Sequence, residues 1–337
     1  MTLRIAVLGY GFIADLHVRA AHECGLTVQA VAGHNAERAD VFARSHTIGR
    51  ATTDWMAAVT ADDVDAVVIG TPNALHHRQT MAALGAGKHV LVDKPMATTV
   101  ADATSMIAAA EAAGRVLLVG HMWRYRDEVI AVRDRVAAGH IGRPIRTRGY
   151  GFHAGWGPSG WFTEPSLSGG GALIDMGIHA IDTARFILGD PAPTRVVGSM
   201  STAHGDYAVE DDGIVLIDWS NGVRSTIEFG WWQQRLDGVE ADTELYGTTG
   251  HERIWPQFTP ATPAPPDYIH CSLPMYTAQM ADFARCISTG ATPIANAQVG
   301  LTALSIVELA YQNALIPEAG KRAQIARLNS PHPSNDG

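Results

Sequence analysis

Short apolar runs alternate with stretches of helical spacing through the first third of the chain. Residues 3–8, Leu-Arg-Ile-Ala-Val-Leu, read as a strand that ends at a glycine turn and gives way to a helix over 15–24. A second strand is expected over 27–32, and Asn35 stands where its side-chain oxygen can cap a helix over 36–46. Residues 65–70, 89–92 and 115–119 repeat the strand pattern, with helices over 74–86 and 99–113 between them. Alternation of this kind predicts a parallel sheet with right-handed crossovers, whose ligands bind at the carboxyl ends of the strands. Gly9, Thr71, Lys94 and His121 all stand at such ends.

The pattern then changes. A helix over 125–138 stops at Gly139, and Gly142-Arg143-Pro144 marks a turn. Strands follow over 145–153, 195–203, 213–218, 223–230 and 244–246, with turn residues such as Asn221-Gly222 between them. Strands without intervening helices predict a separate, largely antiparallel sheet. A helical stretch over 169–188 interrupts it and is expected to pack over it. The proline-rich segment 256–274 reads as a surface loop or lid, two helices over 276–288 and 299–314 close the fold, and 329–337 reads as a disordered tail. The expected class is therefore α/β: an N-terminal parallel-sheet domain over 1–122, and a second domain over 123–328 of α+β type on an open, mostly antiparallel sheet.

Composition adds exclusions. With 46% hydrophobic and 18% charged residues among 337, the chain has material for two ordinary globular domains. Its formal charge of -9 and the lack of any Lys/Arg run argue against nucleic acid as a partner. Three widely spaced cysteines, Cys24, Cys271 and Cys286, do not suggest a disulfide framework, so a reducing cytoplasm is expected. No signal-peptide pattern and no apolar run long enough to span a bilayer is found, so neither export nor membrane insertion is expected.

Gly9-Tyr10-Gly11-Phe12-Ile13-Ala14 is a G-x-G-x-x-A turn between strand and helix. Gly9 allows the tight turn, Gly11 lets the backbone approach a pyrophosphate, and Ala14 allows close helix packing; the helix N-terminus then offers amide donors to phosphate. NAD-binding folds usually carry an acidic residue at the end of the second strand to hold the ribose 2′-hydroxyl. Here that place reads Gly33-His34-Asn35. Without the carboxylate, His34 or Arg38 can pair with a 2′-phosphate, so NADP is slightly favoured over NAD; alternatively Asn35 binds the ribose of NAD. The expected cofactor-facing set is Gly9, Gly11, Phe12, Ile13, Gly33, His34, Asn35, Arg38, Thr71, Pro72, Asn73, His76, Asp93, Lys94 and His121.

In the run that begins Ser168-Gly169-Gly170-Gly171, helical spacing puts Asp175, His179 and Asp182 on one face. A carboxylate beside an imidazole can serve as orienter and proton acceptor. The same pair can also be a helix-surface couple, or metal ligands with His121 or His153; the absence of further ligand spacing disfavours metal. Trp156, Trp161, Trp231 and Trp232 can offer flat faces to a sugar, or serve as core. Arg124 and Tyr125 follow a strand end and face either core or ligand. The substrate-binding set expected is Lys94, Arg124, Tyr125, His153, Trp161, Asp175 and His179.

On these residues the chain resembles the Gfo/Idh/MocA oxidoreductases over nearly its whole length. The resemblance is carried by the glycine turn, His17, Thr71-Pro72-Asn73 with His76, Asp93-Lys94-Pro95 where the family typically has Glu-Lys-Pro, the Gly169 to Asp182 stretch, and Gly247-Thr248-Thr249-Gly250. It implies an N-terminal Rossmann dinucleotide-binding domain over 1–122 and a substrate and oligomerisation domain over 123–328, and that Lys94, Asp175 and His179 form the catalytic set. The implied activity is NAD(P)-dependent oxidation or reduction at a secondary alcohol of a sugar, polyol or inositol-like compound. Two other activities also occur among similar proteins: glycosidic cleavage with internally recycled NAD, and dinucleotide sensing without catalysis. The open sheet suggests a homodimer or homotetramer.

Overall fold

The computed structural model describes residues 2–233, 241–255 and 271–315. The chain divides into two units, the first formed by Met1–Arg126 with Cys271–Leu301, the second by Asp127–His270 with Thr302–Gly337. The return of 271–301 to the first unit was not part of the expected linear division at residue 122.

In the first unit, strands β1 (Arg4–Leu8), β2 (Thr27–Ala32), β3 (Arg50–Thr52), β4 (Ala66–Ile69), β5 (His89–Val92) and β6 (Leu117–Val119) form a six-stranded sheet in the order β3-β2-β1-β4-β5-β6. Every pairing in it is parallel. The continuous apolar runs are explained by burial on both faces; all four residues of β4 are buried. Helices α1 (Phe12–Glu23), α2 (Ala36–Ser45), α3 (Trp55–Thr60), α4 (Asn73–Gly85) and α5 (Val100–Ala113) connect the strands. Asn35 caps α2 by accepting from Arg38 N at 2.9 Å, as its position suggested, and Asp54 and Thr99 cap α3 and α5 in the same way. The short β3 and α3 were not anticipated, because three and six residues carry almost no periodic signal.

The helix expected over 125–138 is split. A 3₁₀ turn, Met122–Tyr125, ends at Arg126, whose backbone is extended, and α6 begins only at Asp127 (Asp127–Ala137). Tyr125 is buried, its hydroxyl donating to Asp282 at 2.9 Å and accepting from Ala295 N at 3.2 Å. Both partners lie in the returning segment, which also bonds β6 through Val119 N and Ala295 O at 2.9 Å.

In the second unit, β7 (Pro144–Ala154), β8 (Pro193–Ser201), β9 (Asp212–Trp219), β10 (Arg224–Gln233), β11 (Ala241–Gly247) and β12 (His251–Arg253) form a sheet ordered β12-β11-β7-β10-β9-β8. The β7/β10 pairing is parallel and the others antiparallel, so the sheet is mixed rather than of one kind. Its inner face carries Thr147, Ser225, Ile227, Phe229, Val215, Ile217 and Leu245, all buried. After a one-turn helix α7 (Pro165–Ser168), a π-helical turn Leu173–Gly177 and α8 (Ile178–Ile187) supply the segment expected over 169–188, and α8 and the π-turn contact β7 and β10. The opposite face is open and polar, with Arg148 paired to Glu228 at 3.0 Å and Arg195 and Arg224 to Asp218.

Helices α9 (Leu273–Thr289) and α10 (Ala297–Gln312) end the described chain. The lid expected over 256–274 falls, up to residue 270, outside the described residues, as does the tail at 329–337. No helix of the described residues is long and apolar enough to cross a membrane.

α9 packs against α1, where His17 is fully buried with its ring edge on Tyr276, centroids 4.9 Å apart. Neither ring nitrogen of His17 has a hydrogen-bond partner among the described residues. Burial favours the neutral imidazole and lowers its pKa from 6.5 to about 3. The unfolded chain takes up a proton near 6.5 and the folded one does not, so stability present above that pH is lost on acidification toward 3. We expect His17→Leu to flatten the fall in unfolding free energy between pH 6.5 and 4.5 by about 1.4 kcal/mol per pH unit at most. Urea titrations across that range measure it, and equal slopes in the two proteins would refute it.

Candidate active site

The first unit gathers its chemistry at the carboxyl ends of β1, β2, β4, β5 and β6. Gly9 has φ of +107°, and a Cβ there would stand 2.4 Å from the Gly70 carbonyl oxygen. Only glycine serves where β1 and β4 end side by side. A Cβ at Gly11 would meet nothing within 4 Å, so the space in front of the α1 N-terminus is open. Phe12 at the start of α1 is exposed, Ile13 half-buried.

At the end of β2 the ring of Tyr10 lies on Gly33, where any Cβ would be 2.0 Å from it. The Tyr10 hydroxyl lies 3.0 Å from His34 Nδ1 and accepts from Asn35 N at 3.3 Å, while the Arg38 guanidinium sits 4.8 Å over the ring. Tyr10 thus holds the space of the usual side chain at this strand end. Sequence reasoning missed it, although its place between the two glycines of the turn was the available signal.

After β4, Thr71 donates to Gln79 Oε1 at 2.6 Å, and Asn73 opens α4 as a buried residue. His76 is buried, its ring nitrogens each 2.8 Å from a carbonyl oxygen, those of Thr71 and Pro95. Burial lowers its pKa against the pull of those two oxygens, with Lys94 adding to the decrease. His76 therefore sits buried between the loop after β4 and the loop after β5, a bracing position. In that second loop Asp93 is buried and its Oδ1 accepts from Lys94 N at 2.6 Å; the Lys94-Pro95 bond is cis. His121 and Arg124 are buried after β6. Cys271 bonds Tyr276 through their side chains; burial raises the Cys271 thiol to about 11 and the Tyr276 hydroxyl well above its usual 10. All three cysteines are free thiols.

The second unit centres on Asp175, His179 and Asp182, all buried. The glycine run before them is a demand of packing. A Cβ on Gly171 would stand 1.9 Å from the Glu210 carbonyl oxygen, and the Glu210 carboxylate accepts from Gly171 N, Leu173 N and Tyr311 Oη at 3.0, 3.2 and 2.6 Å. Asp175 lies in the π-turn, not in regular α-helix as the spacing suggested, so the common face of the three residues is not a simple α-helical stripe. Its Oδ2 accepts from Trp231 Nε1 at 3.0 Å and lies 3.1 Å from His153 Nε2. His153 stacks on Trp156, centroids 3.8 Å apart. Trp161 stacks on Phe162 and is half-buried. The role of Trp231 was missed: a tryptophan on a strand reads as core, and nothing in the spacing tells which way its N–H points.

Among the described residues no three metal-binding side chains are gathered in one place. A dinucleotide fits the first unit: the tight turn at Gly9, open space at Gly11 and the α1 amide end together suit a pyrophosphate.

This geometry defines a class, a Rossmann unit joined to an open-sheet unit that carries buried Asp and His. Residues 3–121 match the model described as oxidoreductase family, NAD-binding Rossmann fold, and residues 129–252 match the GFO/IDH/MocA C-terminal domain. The chain belongs to the Gfo/Idh/MocA oxidoreductase family. It is 37% identical over 251 residues to the 1,5-anhydro-D-fructose reductase of Ensifer adhaerens, covering 73% of this chain and 74% of that protein. It is 34% identical over 237 residues to the inositol 2-dehydrogenase of Acidiphilium cryptum, with 68% and 67% covered. The crystal structure of GenD2 from gentamicin A biosynthesis in complex with NAD superposes with a TM-score of 0.84 over 93% of this chain and 94% of that one, at 24% identity.

Gly171→Ala should lose stability by more than about 2 kcal/mol, since backbone and not a yielding side chain stands in the way. Denaturant melting of the variant gives the difference, and a change within 0.5 kcal/mol, the usual range of surface substitutions, would be inconsistent with the packing described.

Proposed function

We propose that the protein transfers hydride between a nicotinamide cofactor and a secondary alcohol of a sugar, polyol or inositol-like substrate. The observation that carries this reading is a buried Asp175 carboxylate fixed by two N–H groups, with His179 on the following turn. A bound nicotinamide supplies the hydride acceptor or donor. The protein's part is to handle the proton and the charge on oxygen. His179 takes the hydroxyl proton, since an imidazole titrates near working pH. Lys94 donates to the reacting oxygen and stabilises its developing negative charge, and Asp175 keeps the local field negative, favouring the protonated imidazole once the proton has moved. The relatives named above are a reductase of an anhydrosugar and a dehydrogenase of inositol, which supports hydride transfer over glycosidic cleavage or dinucleotide sensing.

NADP is slightly favoured as the cofactor. Position 33 carries no carboxylate to repel a 2′-phosphate, and Arg38 and His34 are both held beside Tyr10 at that strand end. Free thiols at all three cysteines agree with a cytoplasmic setting.

A panel of sugars, anhydrosugars and inositols run with NAD and with NADP, following the reduced-nicotinamide absorbance, tests the reading. At least one substrate is expected to turn over, with lower KM for NADP, and His179→Ala should reduce kcat on it by about 100-fold or more. Turnover of His179→Ala at the wild-type rate would remove His179 from its role, and glycoside cleavage without net cofactor reduction would overturn hydride transfer as the net reaction.

The outer face of the second sheet is proposed as the surface of a homodimer or homotetramer. It presents Leu216 at 47% exposure among complementary Arg and Asp/Glu pairs, and a recess lined by Tyr246, His251, Arg253 and Trp255 at its edge. Light scattering is expected to give two or four times the chain mass, and Leu216→Asp to lower it; a monomer in the wild type would sink the assignment.

A further inference from the structure

Trp231 is fully buried, and its indole N–H donates to Asp175 Oδ2 at 3.0 Å. The indole is held there by an unusual piece of backbone. Between Gly230 and Gln233 the pairing of β10 with β7 slips by one residue, so that Gln233 and not Trp232 opposes Ala154. Trp232 takes the left-handed conformation with φ of +62°, which costs a residue with a Cβ about 1 kcal/mol or more. Bulges of this kind re-aim side chains and recur beside functional sites.

Several contacts hold the bulge. Trp232 N donates to Trp156 O at 2.8 Å, and the Trp232 ring lies against Gly157, where a Cβ would be 2.2 Å from its Nε1. The Trp232 side chain also bonds Tyr207, whose hydroxyl donates to Asp211 Oδ2 at 2.7 Å. Asp211 in turn accepts Trp231 N at its carbonyl, 2.8 Å, and three further backbone N–H groups, those of Ala203, His204 and Gly205, at its carboxylate. The Tyr207 ring stands edge-on to Trp231 at 5.8 Å. The neighbouring Glu210 fixes Gly171 and Leu173 at the start of the π-turn. Two adjacent acids therefore place both members of the Trp231–Asp175 pair, one through each backbone.

We propose that Trp231 is a positioning residue, whose indole N–H keeps the Asp175 carboxylate ionised and aimed for the proton transfer at His179. The proposal rests on the reading of Asp175 and His179 given above. His153 of β7 lies 3.1 Å from the same Asp175 oxygen through its Nε2, a second titratable group that stays in place when Trp231 is replaced. A carboxylate that loses an N–H donor ionises at higher pH. The loss of one hydrogen bond to a charged group corresponds to a rate change of about 10- to 100-fold.

Trp231→Phe keeps a buried ring and removes the donor. Its kcat on a substrate found in the panel is expected to fall about 10- to 100-fold with KM changed far less, and the acid limb of its kcat–pH profile to move to higher pH. Trp231→His, which retains a ring N–H, should recover part of the rate. Benzothienylalanine incorporated at position 231 replaces the N–H by sulfur in the same bicyclic shape and is expected to behave as Trp231→Phe even where the smaller ring impairs folding. Wild-type kcat and acid limb in the donor-free variants, or a lower kcat with an unmoved acid limb, would overturn the proposal. Asp175→Asn separates the two levels: if it is inactive while the donor-free variants match wild type, only the role of Trp231 falls, and if it turns over at the wild-type rate, the reading of Asp175 falls and takes the role of Trp231 with it.

Discussion

A carboxylate removed from water costs several kcal/mol unless N–H groups replace the solvent. Asp175 is nine-tenths buried, and this one requirement organises much of the second unit. The strand β7 must end where His153 reaches the carboxylate, β10 must bring Trp231 to the same oxygen, and the helix must begin with a π-turn that carries Asp175 between them. The parallel pairing of β7 and β10 inside an otherwise antiparallel sheet sets the two strands running the same way, so that both donors arise near the same end. Glu210 and Asp211 meet the same requirement for themselves by gathering backbone amides, and each gathers them from a segment that has to be held for Asp175 to stay in place.

Close backbone approach is the counterpart of that electrostatic demand. Gly9 lets β1 and β4 end in contact, which leaves a mouth at the α1 amide end, and Gly171 lets the start of the π-turn lie on the Glu210 carbonyl. Neither glycine is there for flexibility. Each sits where the next atom is main chain, which cannot move aside without disturbing a strand or a turn. His76 plays a related part in the first unit, where one buried ring spans the carbonyls of Thr71 and Pro95 and so fixes the loop that carries Lys94.

The parallel sheet was legible because buried strands and their connecting helices leave strong periodic marks, and the ends of β2 and β5 fall where the apolar runs end. Glycine spacing marked the tight turn after β1, and Asn35 marked a helix start, because both act through local backbone geometry. What stayed hidden depends on direction and on distant partners. Tyr125 follows a strand end, as a ligand-facing residue would, yet its hydroxyl is engaged by Asp282 and Ala295 some 160 residues away in sequence. Trp231 looked like core and is core, but the hydrogen on its indole nitrogen has a use that hydrophobicity cannot register. The π-turn was hidden for a similar reason: one extra residue in a single turn barely alters the spacing of Asp175, His179 and Asp182, while it changes where the first of them points.

The end of β2 shows how a missing residue is best understood from what replaces it. A carboxylate at position 33 would repel a 2′-phosphate and accept from a ribose hydroxyl; glycine does neither, and a side chain there is barred by the ring of Tyr10. With that ring in place, the Arg38 guanidinium rests over an aromatic face and is held at the strand end, while the Tyr10 hydroxyl engages His34 and Asn35. An arginine stacked in this way has already given up much of its side-chain freedom, so less is lost when its donors engage an anion. Gly33 offers a ribose hydroxyl no carboxylate, while Asn35 Oδ1 already accepts from Arg38 N in capping α2. The proposed lean to NADP therefore rests on two features that act together, a withdrawn negative charge and a cation fixed beside its place.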